Sequence, residues 1–179
     1  GRTNPAQAEA LTRLLVEAWP DYADGHNQLA AYARERGELV AALAHYARGV
    51  EVGRALFPKR IAKASWWRDY RTRAYIRAIR GTAITLTEAG RSADALAWCD
   101  RLETECFDVP HAAAFRAVAA LNLREWELAR VNAEKVVGLW PEYGFVSAYA
   151  CRELGQFAAA DADWAMAEAR KPMIARLLR

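Results

Sequence analysis

Apolar residues recur every three to four positions along almost the whole chain. Short polar strings such as Arg34-Glu35-Arg36-Gly37-Glu38 break the pattern. This period predicts amphipathic helices. A first helix runs from the Asn4 cap and Pro5 to Trp19. Helix pairs follow at about 22–36 and 38–54, 72–89 and 91–105, 109–122 and 124–139, and 142–154 and 156–170. A tail from Pro172 opens one more short helix, with Met173, Ile174, Leu177 and Leu178 placed on one face.

The breaks share a spacing. Gly37 has Ala30 seven residues before it, Ala42 five after and Tyr46 nine after. Gly90 repeats this with Ala83, Ala95 and Cys99, and Gly155 with Ala148, Ala160 and Trp164. Arg124 stands in the same register with Ala117, Ala129 and Ala133. Proline follows the second alanine by twelve residues at Pro141 and Pro172, and Ala8 to Pro20 gives half the pattern. Small residues at both sides of a helix crossing let the axes approach to the low end of about 8–10 Å. The glycine accepts the positive φ that ends the first helix, and the proline ends the second.

This spacing resembles the tetratricopeptide repeat, a two-helix unit of 34 residues. The resemblance implies an all-α fold, a right-handed superhelical solenoid of antiparallel helix pairs, over a single domain at 1–179. The units are a half repeat at 4–20 and pairs at 22–54, 72–107, 109–140 and 141–171, with a tail at 172–179. Two departures stand out. Gly37 and Gly90 lie 53 residues apart, so an insertion is expected at about 55–71. Arg124 replaces the turn glycine, so that turn is expected to end without a glycine cap. An array that opens on half a repeat and closes on an apolar stub is expected to belong to a longer chain, because end repeats need polar outer faces.

Composition adds a cause for the close crossings, since 40 of 179 residues are alanine and only 10 are glycine and 6 proline. No apolar run approaches the ~20 residues that cross a bilayer. Cys99, Cys106 and Cys151 are too few for a disulfide framework and read as free thiols, so a cytoplasmic setting and no membrane partner are expected. The three histidines, His26, His45 and His111, never fall at i, i+4. No close Cys/His pair, Walker loop or nucleophile elbow appears, so no enzyme, metal or cofactor is expected.

Charge is more informative than its total of +3. The stretch from Arg54 to Arg80 carries +8, and the remainder of the chain −5. In tetratricopeptide proteins the inner groove is lined by the first helix of each pair and receives peptide segments. The resemblance therefore places Asn27, Arg34, Arg77, Arg80, His111, Phe145, Tyr149 and Arg152 on the groove, with Arg73 and Tyr75 as further polar anchors beside them. Ala31 stands where a second asparagine would complete the carboxylate clamp of some co-chaperones, which disfavours chaperone tails.

The insertion holds a second patch of Lys59, Arg60, Lys63, Trp66, Trp67, Arg68 and Arg71. The basic belt has three readings: a solvated face paired within the chain, a contact for an acidic protein or peptide, or a nucleic-acid contact. Arginine gives bidentate bonds to carboxylates, whereas arginine interleaved with tryptophan and tyrosine also suits phosphate contacts and base stacking. The favoured function is a non-enzymatic scaffold that binds a protein or acidic peptide in a concave groove. The alternative is a nucleic-acid-binding array using 59–80, and self-association through the end repeats is a further possibility.

Overall fold

The computed structural model describes residues 4–179, so the first three positions of the expected domain lie outside the described residues. Ten helices follow one another: α1 (Pro5–Ala18), α2 (Ala23–Glu35), α3 (Leu39–Ala55), α4 (Tyr70–Glu88), α5 (Ser92–Thr104), α6 (Val109–Asn122), α7 (Trp126–Glu134), α8 (Tyr143–Glu153), α9 (Phe157–Arg170) and α10 (Pro172–Leu178). The described residues are all-α, with one 3-10 turn at Lys63–Ser65 and no strand. Each helix packs on its neighbours in the chain. In addition α2 touches α4, α4 touches α6 and α6 touches α8, whereas the odd-numbered helices meet only their chain neighbours.

Alanine makes this packing possible. Ala30, Ala42, Ala83, Ala95, Ala117 and Ala129 are fully buried, and Ala148 and Ala160 nearly so. The turns between paired helices are also alike. At Gly37, φ is 77°, and the Glu38 N–H donates to the Ala33 carbonyl at 2.9 Å. Arg124 takes the same left-handed conformation at φ 60°, and the Glu125 N–H donates to Ala120 at 2.9 Å. The turn at Arg124 ends without a glycine, as expected, yet it keeps the geometry of the glycine turns. The backbone bonds hold the geometry, and the arginine bears the strain that glycine avoids.

Two helix ends and one helix face differ from the periodic reading. Asp69 caps α4 by accepting from the Arg71 N–H at 3.0 Å, so the helix starts at Tyr70. Helix α7 stops at Glu134 and passes into turns, because Val136, Val137 and Gly138 are poor helix formers. In α10, Ala175 is buried and Ile174 packs beside it, while Met173 and Leu177 are exposed. The tail therefore turns a different face inward from the one its apolar residues suggest.

The insertion does not part the helices it joins. Helices α3 and α4 approach so closely that a Cβ on Gly53 would lie 3.0 Å from the Tyr75 nitrogen. The loop at 56–69 folds back over their ends. Phe57 and Trp66 are buried there with Tyr75, Ile76, Ile79, Leu102 and Cys106. The Thr72 hydroxyl locks the loop by donating to the Trp66 and Asp69 carbonyls.

Candidate peptide-binding site

Helix α4 carries Arg73, Arg77 and Arg80 along one face, since residues three or four apart share a side of a helix. Asp24 of α2 and Asp108, the residue just before α6, supply acids to that face. Arg77 lies 2.7 Å from Asp24, in a pair open to water. Arg80 Nε donates to Asp108 Oδ2 at 2.6 Å, and Asp108 is almost fully buried. His111 Nδ1 lies 2.9 Å from Asp108 Oδ1 and 2.8 Å from Arg80 Nη2. Protonated, that nitrogen donates to the carboxylate; bare, it accepts from the guanidinium. The Arg80 guanidinium also stacks 4.9 Å from the Trp67 ring. Burial alone would push the Asp108 carboxyl up, but bonds from His111 and Arg80 and the Arg80 charge outweigh it, and the group is held below its usual range.

Between α1, α2 and α4 this face opens into a cleft of ≈ 660 Å³, lined by Tyr22, Asp24, Gln28, Tyr32, Tyr46 and Arg77 among others. Of the residues expected in the groove, Asn27 lines this cleft although it is nearly buried, and Tyr75 and Phe145 serve the core instead. Asn27 is buried, and its amide donates to the Ala74 carbonyl at 2.8 Å, tying α2 to α4. Tyr75 is 1% exposed and faces the insertion. Phe145 is buried against Ala167 and Ala175, because α9 and α10 cover it. Arg34 lies 3.7 Å from Glu88. His111 is partly buried under Trp140, with ring centroids 4.8 Å apart. Tyr149 and Arg152 are exposed, and the Tyr149 ring meets Trp126 edge-on.

The insertion makes a second concavity. A pocket of ≈ 480 Å³ lies between the loop and the C-terminal ends of α3 and α5. Trp66, Phe107, Tyr75 and Ile61 form its apolar wall, and Arg54, Lys59 and Arg60 stand around it. Lys63 sits 5.4 Å from the Phe107 ring. Trp66 thus belongs to the core and the pocket wall, whereas Trp67, Arg68 and Arg71 face outward. Arg71 forks onto Asp69. The sequence reading missed Arg54, Ile61, Glu105 and Phe107 as site residues. They come together only through the path of the loop, which no periodicity encodes.

No family model matches this chain, and no curated protein matches it. The chemistry therefore has to be read from the side chains. Glu105 carries the pocket's negative charge, and it is already engaged. Arg101 Nε donates to it at 2.8 Å, and the Tyr75 hydroxyl donates to its other oxygen. Burial would raise the Glu105 carboxyl, yet the bonds from Arg101 and Tyr75 bring it below the usual range. Tyr75 is pushed up to about 12, first by burial and then by its bond to Glu105. Burial likewise pushes the Cys106 thiol up to about 12 and Cys99 up to about 11. Thiols so far above neutral pH are poor nucleophiles. Among the described residues no group of three His, Cys, Asp or Glu is placed to hold a metal ion. No helix among the described residues is long and apolar enough to cross a membrane.

Cations separate the two concavities. Six of the nine in the belt, Arg54, Lys59, Arg60, Lys63, Arg68 and Arg73, have no carboxylate within 4.0 Å among the described residues; only Arg71, Arg77 and Arg80 do. Elsewhere ten of the fifteen described Lys and Arg make such a pair. The free positive charge is thus concentrated on the insertion and the start of α4.

Proposed function

We propose that this protein is a tetratricopeptide-like, right-handed superhelical array of helix pairs that works as a non-enzymatic scaffold for an acidic protein segment. The six unpaired belt cations carry this reading. A face paired within the chain would have satisfied them as it satisfies Arg77 and Arg80. Carboxylates of a partner supply the missing charge, and exposed Trp67 and Tyr70 add contact area beside them. Buried free thiols at Cys99, Cys106 and Cys151 suit a cytoplasmic setting.

A second reading rests on those same exposed aromatics. Trp67 and Tyr70 alternate with Arg68, Arg71 and Arg73, which is the composition of a single-strand stacking platform. Calorimetry separates the two. A panel of unstructured peptides, graded from strongly acidic to strongly basic, is titrated beside an oligothymidylate over a range of salt. The scaffold reading expects affinity to rise with peptide acidity and to exceed that for the oligonucleotide. Tighter oligonucleotide binding that falls log-linearly with salt overturns it.

A further inference from the structure

We infer that the pocket under the insertion loop, rather than the cleft between α1, α2 and α4, anchors the acidic segment. It would hold an aromatic or large apolar side chain on Phe107 and Trp66 and a neighbouring carboxylate on Lys59 and Arg60. This inference rests on the acidic-segment reading above and goes beyond it by naming the subsite and the ligand's chemistry.

Availability decides between the two concavities. On the α4 face the cation that lines the cleft, Arg77, is already held by Asp24 at 2.7 Å, and Arg80 one turn on is bound to Asp108, whose carboxylate is almost fully buried. A ligand that recruited Arg80 would leave that buried charge without its partner, a strongly unfavourable exchange. In the loop pocket Lys59 and Arg60 are exposed and have no carboxylate within 4.0 Å among the described residues, so a ligand that engages them breaks no ion pair.

The pocket's second feature is Phe107. It holds a positive φ of 55°, in a region where bulky side chains are rare. Gly37 and Gly90 fill comparable positions after α2 and α4. A phenylalanine here carries strain that a glycine would remove, and it sets the ring edge-on to Trp66, 6.2 Å away, on the pocket wall. Glu105 selects within the class of anions. Its carboxylate on the same wall is held by Arg101 and Tyr75, and a remaining lone pair can accept from a peptide N–H, which a polyphosphate chain lacks. The volume of ≈ 480 Å³ suits an anchor side chain and its neighbour rather than a folded domain.

The test is fluorescence anisotropy on the whole chain, with a dye-labelled peptide alternating glutamate and tryptophan. A version with glutamine for glutamate and an oligothymidylate serve as comparators. The glutamate peptide is expected to bind at least about tenfold more tightly than the glutamine version, and Lys59→Glu/Arg60→Glu is expected to remove a similar factor. Phe107→Gly keeps a backbone conformation that glycine favours, so circular dichroism should be unchanged while affinity falls. Arg34→Glu and Arg152→Glu, on the expected groove, should leave binding within about twofold.

If those two weaken binding and Lys59→Glu/Arg60→Glu does not, the segment lies in the groove. The pocket inference then fails while the acidic-segment reading survives. If the glutamate peptide does not bind, or the oligothymidylate displaces it, the reading itself fails and the inference with it.

Discussion

The ring of Tyr46 lies on the bare Cα of Gly81. A Cβ built on that glycine would come within 2.2 Å of two ring carbons. Tyr46 belongs to α3 and Gly81 to α4, so this contact seats the two helices that the insertion joins. Gly81→Ala must push the ring or the helix aside, and overpacking of this kind costs about 1–3 kcal/mol. At exposed Gly138 a Cβ meets nothing within 4 Å and no positive φ is involved. Gly138→Ala should therefore be neutral or gain about 0.5 kcal/mol. Denaturant melts of the two variants check the contrast.

Arg124 is the converse case. Its φ of 60° strains any side chain, while its backbone bonds match those at Gly37. Arg124→Gly should raise stability by about 1 kcal/mol, and Gly37→Ala should lower it by a similar amount. A Cβ on Gly37 would meet no atom within 4 Å, so its effect isolates the backbone conformation from packing. Equal melts for wild type and both variants would contradict the shared turn geometry.

Alkali should unfold the protein through its buried acids. Cys99, Cys106 and Tyr75 all have folded-state values raised, to about 11, about 12 and about 12. The folded chain thus keeps protons that the unfolded chain releases above about pH 8.5 for thiols and about pH 10 for tyrosine. Stability is full below that range and falls as pH rises through 9 to 12, by at least about 1 kcal/mol per pH unit once the thiols ionise in the unfolded state. Denaturant midpoints from pH 7 to pH 11 test this, and a flat profile would contradict it. In the native protein all three thiols should resist a thiol reagent until unfolding, because each is buried.

Acid acts on the opposite sign. Asp108 and Glu105 are held below their usual range in the fold. Their contribution is present above about pH 4 and is lost as pH falls through their folded values. Asp108→Asn should abolish most of the acid sensitivity on the α4 side and destabilise at neutral pH. It leaves the partly buried Arg80 without its carboxylate, a loss of about 3 kcal/mol. Urea melts of the variant at pH 4 and pH 7 give both numbers.

The alanine and glycine positions were legible because helix crossing depends on side-chain size at fixed spacing. Ala30, Ala42, Ala83 and Ala95 could be placed without knowing the partner helix. Tyr75 was legible but misread. The period that aligns Arg73, Arg77 and Arg80 puts Tyr75 roughly 200° around the helix from Arg73, on the side facing the core. Asn27 is a different case, since its burial depends on α2 touching α4 across 47 residues of chain. Phe145 is covered by α10, whose inward face is set by Ala175 rather than by its larger apolar residues. The loop pocket was legible only in part: Lys59, Arg60 and Trp66 stand in the insertion patch, but Arg54, Ile61, Glu105 and Phe107 join them only through the path of the loop. Its walls come from α3, the loop, α4 and α5, and the φ of Phe107 has no signature in residue type.

In the proposed function, free cations of the insertion and the start of α4 meet carboxylates of a partner. Charge exchange tests it most directly. Lys59, Arg60, Lys63, Arg68 and Arg73 are all changed to glutamate, and affinities for a glutamate-rich peptide and its lysine-rich counterpart are measured against wild type. The account predicts that wild type binds the glutamate-rich peptide and that the variant loses it and gains the lysine-rich one. A variant that folds and still binds the glutamate-rich peptide as tightly as wild type would contradict the account.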